Sequence, residues 1–85
     1  MSVLYLVNHP GALRSCIAVA DVADTILLIE EGVSAAAADQ PRPIVALQED
    51  LQGRAVSTLG ANVEMTDYAG FVEMASLHQP IVSWR

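Results

Sequence analysis

The side chains of this 85-residue sequence able to do acid, base or soft-nucleophile chemistry near neutral pH are few: one cysteine, Cys16, and two histidines, His9 and His78. Cys16 admits two readings. An exposed thiol of lowered pKa could accept and pass on sulfur or another soft group. A small apolar residue on the buried face of a helix is the other reading, because free cysteine is among the most buried residue types. Cys16 lies about a turn and a half into the helix expected around it, beyond the unpaired N–H groups that favour a thiolate, and only Arg14 is a nearby cation in sequence. His9 could serve as acid, base or thiolate partner, or could cap local backbone. His78, just before Gln79-Pro80, suits a helix C-terminus. Lysine is absent, which removes a P-loop lysine and any Schiff-base nucleophile.

In open parallel sheets, ligands lie outside the carboxyl ends of the strands. The ends expected here carry Asn8 and His9, then Glu30 and Glu31, then Gln48, Glu49 and Asp50, then Thr66, Asp67 and Tyr68. Such a rim is acidic and repels phosphate, and no G-x-G-x-x-G is present to cradle one, so nucleotide binding is disfavoured. The pairs Glu30-Glu31 and Glu49-Asp50 could in principle hold a metal. With no motif around them they read as solvated loop acids, and neither metal nor cofactor is expected. Trp84, near the end of the chain, reads either as core or as an interface anchor.

The elements that must position these groups follow from apolar patterning. Ser2 to Val7 reads as a strand broken by Asn8-His9-Pro10-Gly11. From Ala12 to Ala23, Leu13, Ile17 and Ala20 recur at helical spacing. Thr25 to Ile29 is continuously apolar, the pattern of a strand covered on both faces. Val33 to Ala38 reads as a short helix stopped by Asp39-Gln40-Pro41-Arg42-Pro43. Ile44 to Leu47 is a third strand, followed by a short helical turn that Gly53 ends. Ala55 to Ala61 is connection. Val63 to Thr66 is a fourth strand. Thr66-Asp67 can cap the next helix, on which Phe71, Met74, Ala75 and Leu77 form the apolar face. Ile81 to Trp84 is a fifth, edge strand. This alternation predicts one α/β domain over residues 1–85, with a mainly parallel five-stranded sheet and right-handed crossovers.

Composition adds a constraint. A domain of this size buries only roughly 60% of the surface its unfolded chain exposes. One cysteine forms no internal disulfide, and no set of four Cys and His residues exists for a structural zinc. Hydrophobic residues are 53% of the chain and mean hydropathy is +0.40, so association with a partner is the expected source of further stability. Formal net charge is -6 and the pI is near 4.4; the four cations, Arg14, Arg42, Arg54 and Arg85, are scattered, which argues against direct nucleic-acid binding. No apolar run approaches a membrane span and no signal-like leader is evident, so a soluble, cytoplasmic protein without membrane contact is expected.

The order Leu47-Gln48-Glu49-Asp50-Leu51-Gln52-Gly53-Arg54, then Thr66-Asp67-Tyr68-Ala69-Gly70-Phe71-Val72-Glu73, then His78-Gln79-Pro80 and Trp84 resembles the DsrH/TusB family of small sulfur-relay proteins. Val7-Asn8-His9-Pro10 resembles that family's first strand exit, and Ile26 to Val33 followed by alanines its L-L-x-x-[DE]-G-V-x-A-A segment. The stretch between Ala38 and Pro43 is shorter than in many relatives. The resemblance implies a DsrE-like fold, a three-layer α/β/α sandwich. It implies assembly with DsrE/TusD-like and DsrF/TusC-like paralogues into a heterohexamer, although self-association is the alternative for a chain acting alone. It implies exchange with TusA-like and TusE-like sulfur carriers, either for 2-thiolation of the tRNA wobble uridine or for sulfur oxidation in a DsrEFH-like complex. The principal sulfur-carrying cysteine of such complexes belongs to the DsrE/TusD-like subunit. Cys16 is then an auxiliary persulfide carrier or a packing residue, in a subunit that is not an enzyme on its own. His9, Asp67, Tyr68 and Trp84 are the candidates for the relay site or a subunit interface.

Overall fold

Five short aliphatic and β-branched runs form the strands that their patterning predicts. The computed structural model describes residues 2–85. The order is β1 (Leu4–Val7), α1 (Leu13–Val19), β2 (Thr25–Leu28), β3 (Ile44–Leu47), α2 (Gln48–Gly53), β4 (Val63–Thr66), α3 (Tyr68–Leu77) and β5 (Ile81–Trp84), with 3-10 segments at Pro10–Ala12 and Glu30–Ala37. The sheet runs β4-β3-β2-β1-β5, and every neighbouring pair is parallel. Stepping from β1 to β4 moves one way across the sheet, so right-handed crossovers place α1, the Glu30–Ala37 segment and α2 on one face. The return from β4 to β5 reverses direction and places α3 on the other. The result is the expected three-layer α/β/α sandwich.

The two faces are unequally covered. On the first, Tyr5, Val7, Ile26, Leu28, Ile44 and Ala46 meet Leu13, Cys16, Val33, Ala36 and Leu51 in one buried cluster. On the second, Leu4 and Leu27 are fully buried, but α3 has no buried residue of its own. Phe71, Met74 and Ala75 are half-buried there, as their spacing predicts. Leu77 is not: it is 70% exposed, which corrects its assignment to the apolar face. His78 closes α3, with Nδ1 on the Met74 carbonyl (2.8 Å) and Nε2 on the Thr25 hydroxyl (2.9 Å), fastening the helix end to β2.

β1 begins at Leu4 instead of Ser2 and β2 ends at Leu28 instead of Ile29, and two helix boundaries differ from expectation for local reasons. The helix expected to reach Ala23 ends at Val19, its last turn closed by Ala20 N–H on the Cys16 carbonyl (2.8 Å). Beyond it, side chains offer the backbone better partners than further helix. Asp24 accepts from the Val3 and Asp21 amides (both 2.8 Å), Asp21 from the Val22 amide (2.7 Å), and the Arg42 guanidinium donates to the Asp21 and Asp24 carbonyls (3.0 and 2.6 Å). Those backbone N–H bonds hold the Asp24 carboxyl below the usual carboxylate range. The helix expected from Val33 begins instead at Glu30 and is 3-10 throughout, with Glu30 itself at φ 50. Its alanines and glycine are small enough to tolerate the eclipsed i, i+3 stacking of that geometry.

Candidate functional site

The carboxyl ends of the strands do form one rim, and two of its acids, Glu31 and Asp50, are engaged with neighbouring elements. Asp50 Oδ2 accepts from the Glu30 amide at 2.7 Å, which satisfies an N–H at the residue with positive φ. Arg54 donates to Glu31 Oε1 through Nε (3.1 Å) and a terminal nitrogen (2.9 Å), and lies 3.9 Å from Asp50. Asp50 and Glu31 thus tie α2 to the Glu30–Ala37 segment, while Glu30, Glu31 and Glu49 stay solvent-exposed as their sequence positions suggest. Among the described residues, no group of three or more His, Cys, Asp or Glu is placed to hold a metal ion.

His9 leaves β1 and is exposed. Its Nδ1 accepts from the Gly11 amide at 3.0 Å, capping the 3-10 turn that Pro10 begins. The remaining ring nitrogen then carries the proton of the neutral imidazole. No hydrogen bond joins His9 to Cys16, so the structure does not bring the two together as base and nucleophile. Asp67 is the N-cap of α3, accepting from the Gly70 amide at 2.8 Å, as its position before the helix predicts. Replacing it by Ala should cost about 1 kcal/mol of stability, read as a lower urea midpoint with unchanged slope. Tyr68, 60% exposed, stands over Phe71 in an edge-to-face pair with centroids 5.8 Å apart. Like His9 and Asp67, it is a site candidate that lies open to solvent.

Cys16 faces inward. Its side chain is fully buried between α1 and the sheet, in the cluster with Leu13, Ile26 and Val33. Burial pushes the thiol up to about 11, with Arg42 lowering and Asp24 raising it by smaller amounts. A carrier cysteine needs the reverse on both counts, access and a thiolate at neutral pH. The packing half of the sequence reading describes this geometry. Trp84 is likewise turned inward, edge-on to Tyr5 (centroids 5.6 Å, planes at 90°), its indole N–H donating to Ser15 Oγ at 2.9 Å.

Sequence reasoning missed the clamp made by Arg42 and Asp24, since a cation between two prolines carries no motif. Beside it an open groove of about 440 Å³ runs along the last turn of α1, lined by Ile17, Ala20, Val22, Arg42 and Pro43. Among the described residues, no helix is long and apolar enough to cross a membrane. Residues 8–81 match the family model described as DsrH like protein. No curated protein matches the chain.

Proposed function

The chain belongs to the DsrH family, and from that premise we propose that it is a non-catalytic subunit of a sulfur-relay assembly that passes persulfide sulfur toward 2-thiolation of the tRNA wobble uridine. The family match supplies the relay context, and the burial of Cys16 is the observation that supports this role within it. In a relay step, an acceptor thiolate attacks the outer sulfur of a donor persulfide, and the donor cysteine leaves as a thiolate. The acceptor must be reachable and ionised. Cys16 is neither, so the travelling sulfur stays on cysteines of the other subunits, DsrE/TusD-like and DsrF/TusC-like paralogues in a heterohexamer, fed by a TusA-like carrier and emptied by a TusE-like one. This subunit contributes surface: exposed Tyr68 and Val72 on α3 beside a sheet face that one helix covers incompletely. Burial of that surface against paralogues meets the stability need of a small apolar chain.

The test is native mass spectrometry of the protein purified from its host, combined with persulfide detection on Cys16 and relay assays of Cys16→Ser. The expected outcome is a hetero-oligomer with no sulfur on Cys16 and undiminished transfer in the variant. In the native fold, the thiol should also resist iodoacetamide at pH 8 and react on unfolding in urea. Sulfur found on Cys16, with loss of transfer in Cys16→Ser, would establish the alternative, a direct carrier as in a DsrEFH-like oxidation complex.

A further inference from the structure

The two edges of the sheet are not alike. β4 carries Glu64 inside the strand, exposed, and follows Asn62 at φ 70. A charge on an edge strand and a local backbone twist are devices that resist pairing with another chain. β5 has neither. Its residues are Ile81, Val82, Ser83 and Trp84, all suited to a strand, and no acid occurs from Leu77 to Arg85 or within β1. In a chain of net charge -6, the two strands at that edge add no like-charge repulsion of their own. No helix packs extensively on β5, whose one strong neighbour is β1.

The hydrogen-bonding phase of β5 defines what the free edge offers. Leu4 N–H donates to the Pro80 carbonyl at 3.1 Å, and Leu4 is in register with Ile81. The backbone groups of alternate residues point the same way, so residues 80, 82 and 84 face β1, while Ile81 and Ser83 turn both N–H and C=O outward. We propose that β5 pairs antiparallel with β5 of a second copy of this chain, about a two-fold axis through Val82. Ile81 of each copy then lies opposite Ser83 of the other as a hydrogen-bonded pair, giving about four inter-chain bonds and one continuous sheet. A strand related to itself by a two-fold is antiparallel by symmetry, and the uncharged Ile81/Ser83 repeat is complementary to its own reverse. The side chains agree. Ile81, 45% exposed on the face that α3 covers incompletely, becomes the diagonal neighbour of its counterpart across the axis. The inference does not depend on the relay reading, since the same axis could join two single chains or two larger assemblies.

Sedimentation equilibrium of the full chain through the micromolar range, with amide hydrogen exchange at the same concentrations, tests it. The expected result is a dimer in which the Ile81 and Ser83 amides gain protection as concentration rises. Ile81→Lys should be monomeric and lose that protection, whereas Glu64→Lys on the opposite edge should still dimerise. A monodisperse monomer, or a dimer whose Ile81 and Ser83 amides exchange freely, overturns the proposal. Protection that arises only on adding a paralogue also overturns it and assigns the edge to that partner. The exchange measurement is made on the native sequence, so it stands even where a lysine variant does not fold. Sulfur transfer is measured separately, and failure of either reading leaves the other intact.

Discussion

Gly32→Ala is expected to destabilise the protein by about 3 kcal/mol or more, enough to lower its melting temperature by more than about 10 °C in a domain of this size. Helix propensity alone predicts the opposite sign, since Ala is favoured over Gly by roughly 1 kcal/mol within a helix. Space decides otherwise. A Cβ at Gly32 would stand 2.1 Å from the Val7 carbonyl oxygen and 2.9 Å from its carbon, and both are backbone atoms of β1 with no rotamer to move. That carbonyl accepts from the Ile29 amide at 3.0 Å, and the Ile29 carbonyl accepts from Gly32 at 2.8 Å, so separating the two segments breaks the turn that leads out of β2. Val7 is fully buried beside β2 and β5, so the displacement cannot be confined to the surface. The glycine does not have positive φ; its requirement is close approach alone. Gly53→Ala is the matched control, with nothing within 4 Å of the added methyl, and should unfold at or slightly above the wild-type urea midpoint. Equal midpoints for Gly32→Ala and wild type would refute the close-contact explanation.

Gly32 also marks how far the residues themselves could be read. The E-G-V segment carries much of the family resemblance, yet its physical reason lies in a contact with β1, 25 positions earlier, that no local pattern encodes. Strand positions were legible because each is a short aliphatic run between turn residues, and their parallel order followed from the intervening helices. Helix ends were less so. α1 stops where Asp21, Asp24 and Arg42 compete for its backbone, and Arg42 is 18 residues from Asp24. Asp67 was legible as a cap because capping is local, needing only the amide three residues on. The two faces of Cys16's helix were legible from period; which of its two roles followed was not, since exposure depends on the sheet packed against it. Trp84 stayed undecided for the same reason, its partner Ser15 being 69 residues away.

Trp84→Ala separates the inward from the outward role of that residue, and about 3 kcal/mol of monomer stability is expected to go with it. The indole packs edge-on to Tyr5, and its N–H donates to Ser15, whose hydroxyl in turn donates to the Ala12 carbonyl at 3.0 Å. The chain of bonds ties the last strand to the first turn of α1, so the loss combines packed area, an aromatic pair and a polar tether. Trp84→Phe keeps the ring contact and removes the donor, and should cost about 1 kcal/mol. In Ser15→Ala the indole N–H can turn to water, and the double variant with Trp84→Phe should show a coupling of about 1 kcal/mol. Urea unfolding at the lowest workable protein concentration is the measurement, because a midpoint independent of concentration reports the protomer alone. An interface anchor behaves differently: its removal leaves the isolated protomer as stable as wild type and weakens only association. Since Trp84 turns its backbone toward β1 and its ring toward Tyr5, while Ile81 and Ser83 carry the open edge, Trp84→Phe should leave edge pairing intact even as it weakens the fold. A Trp84→Ala midpoint equal to wild type in dilute solution would return Trp84 to the interface.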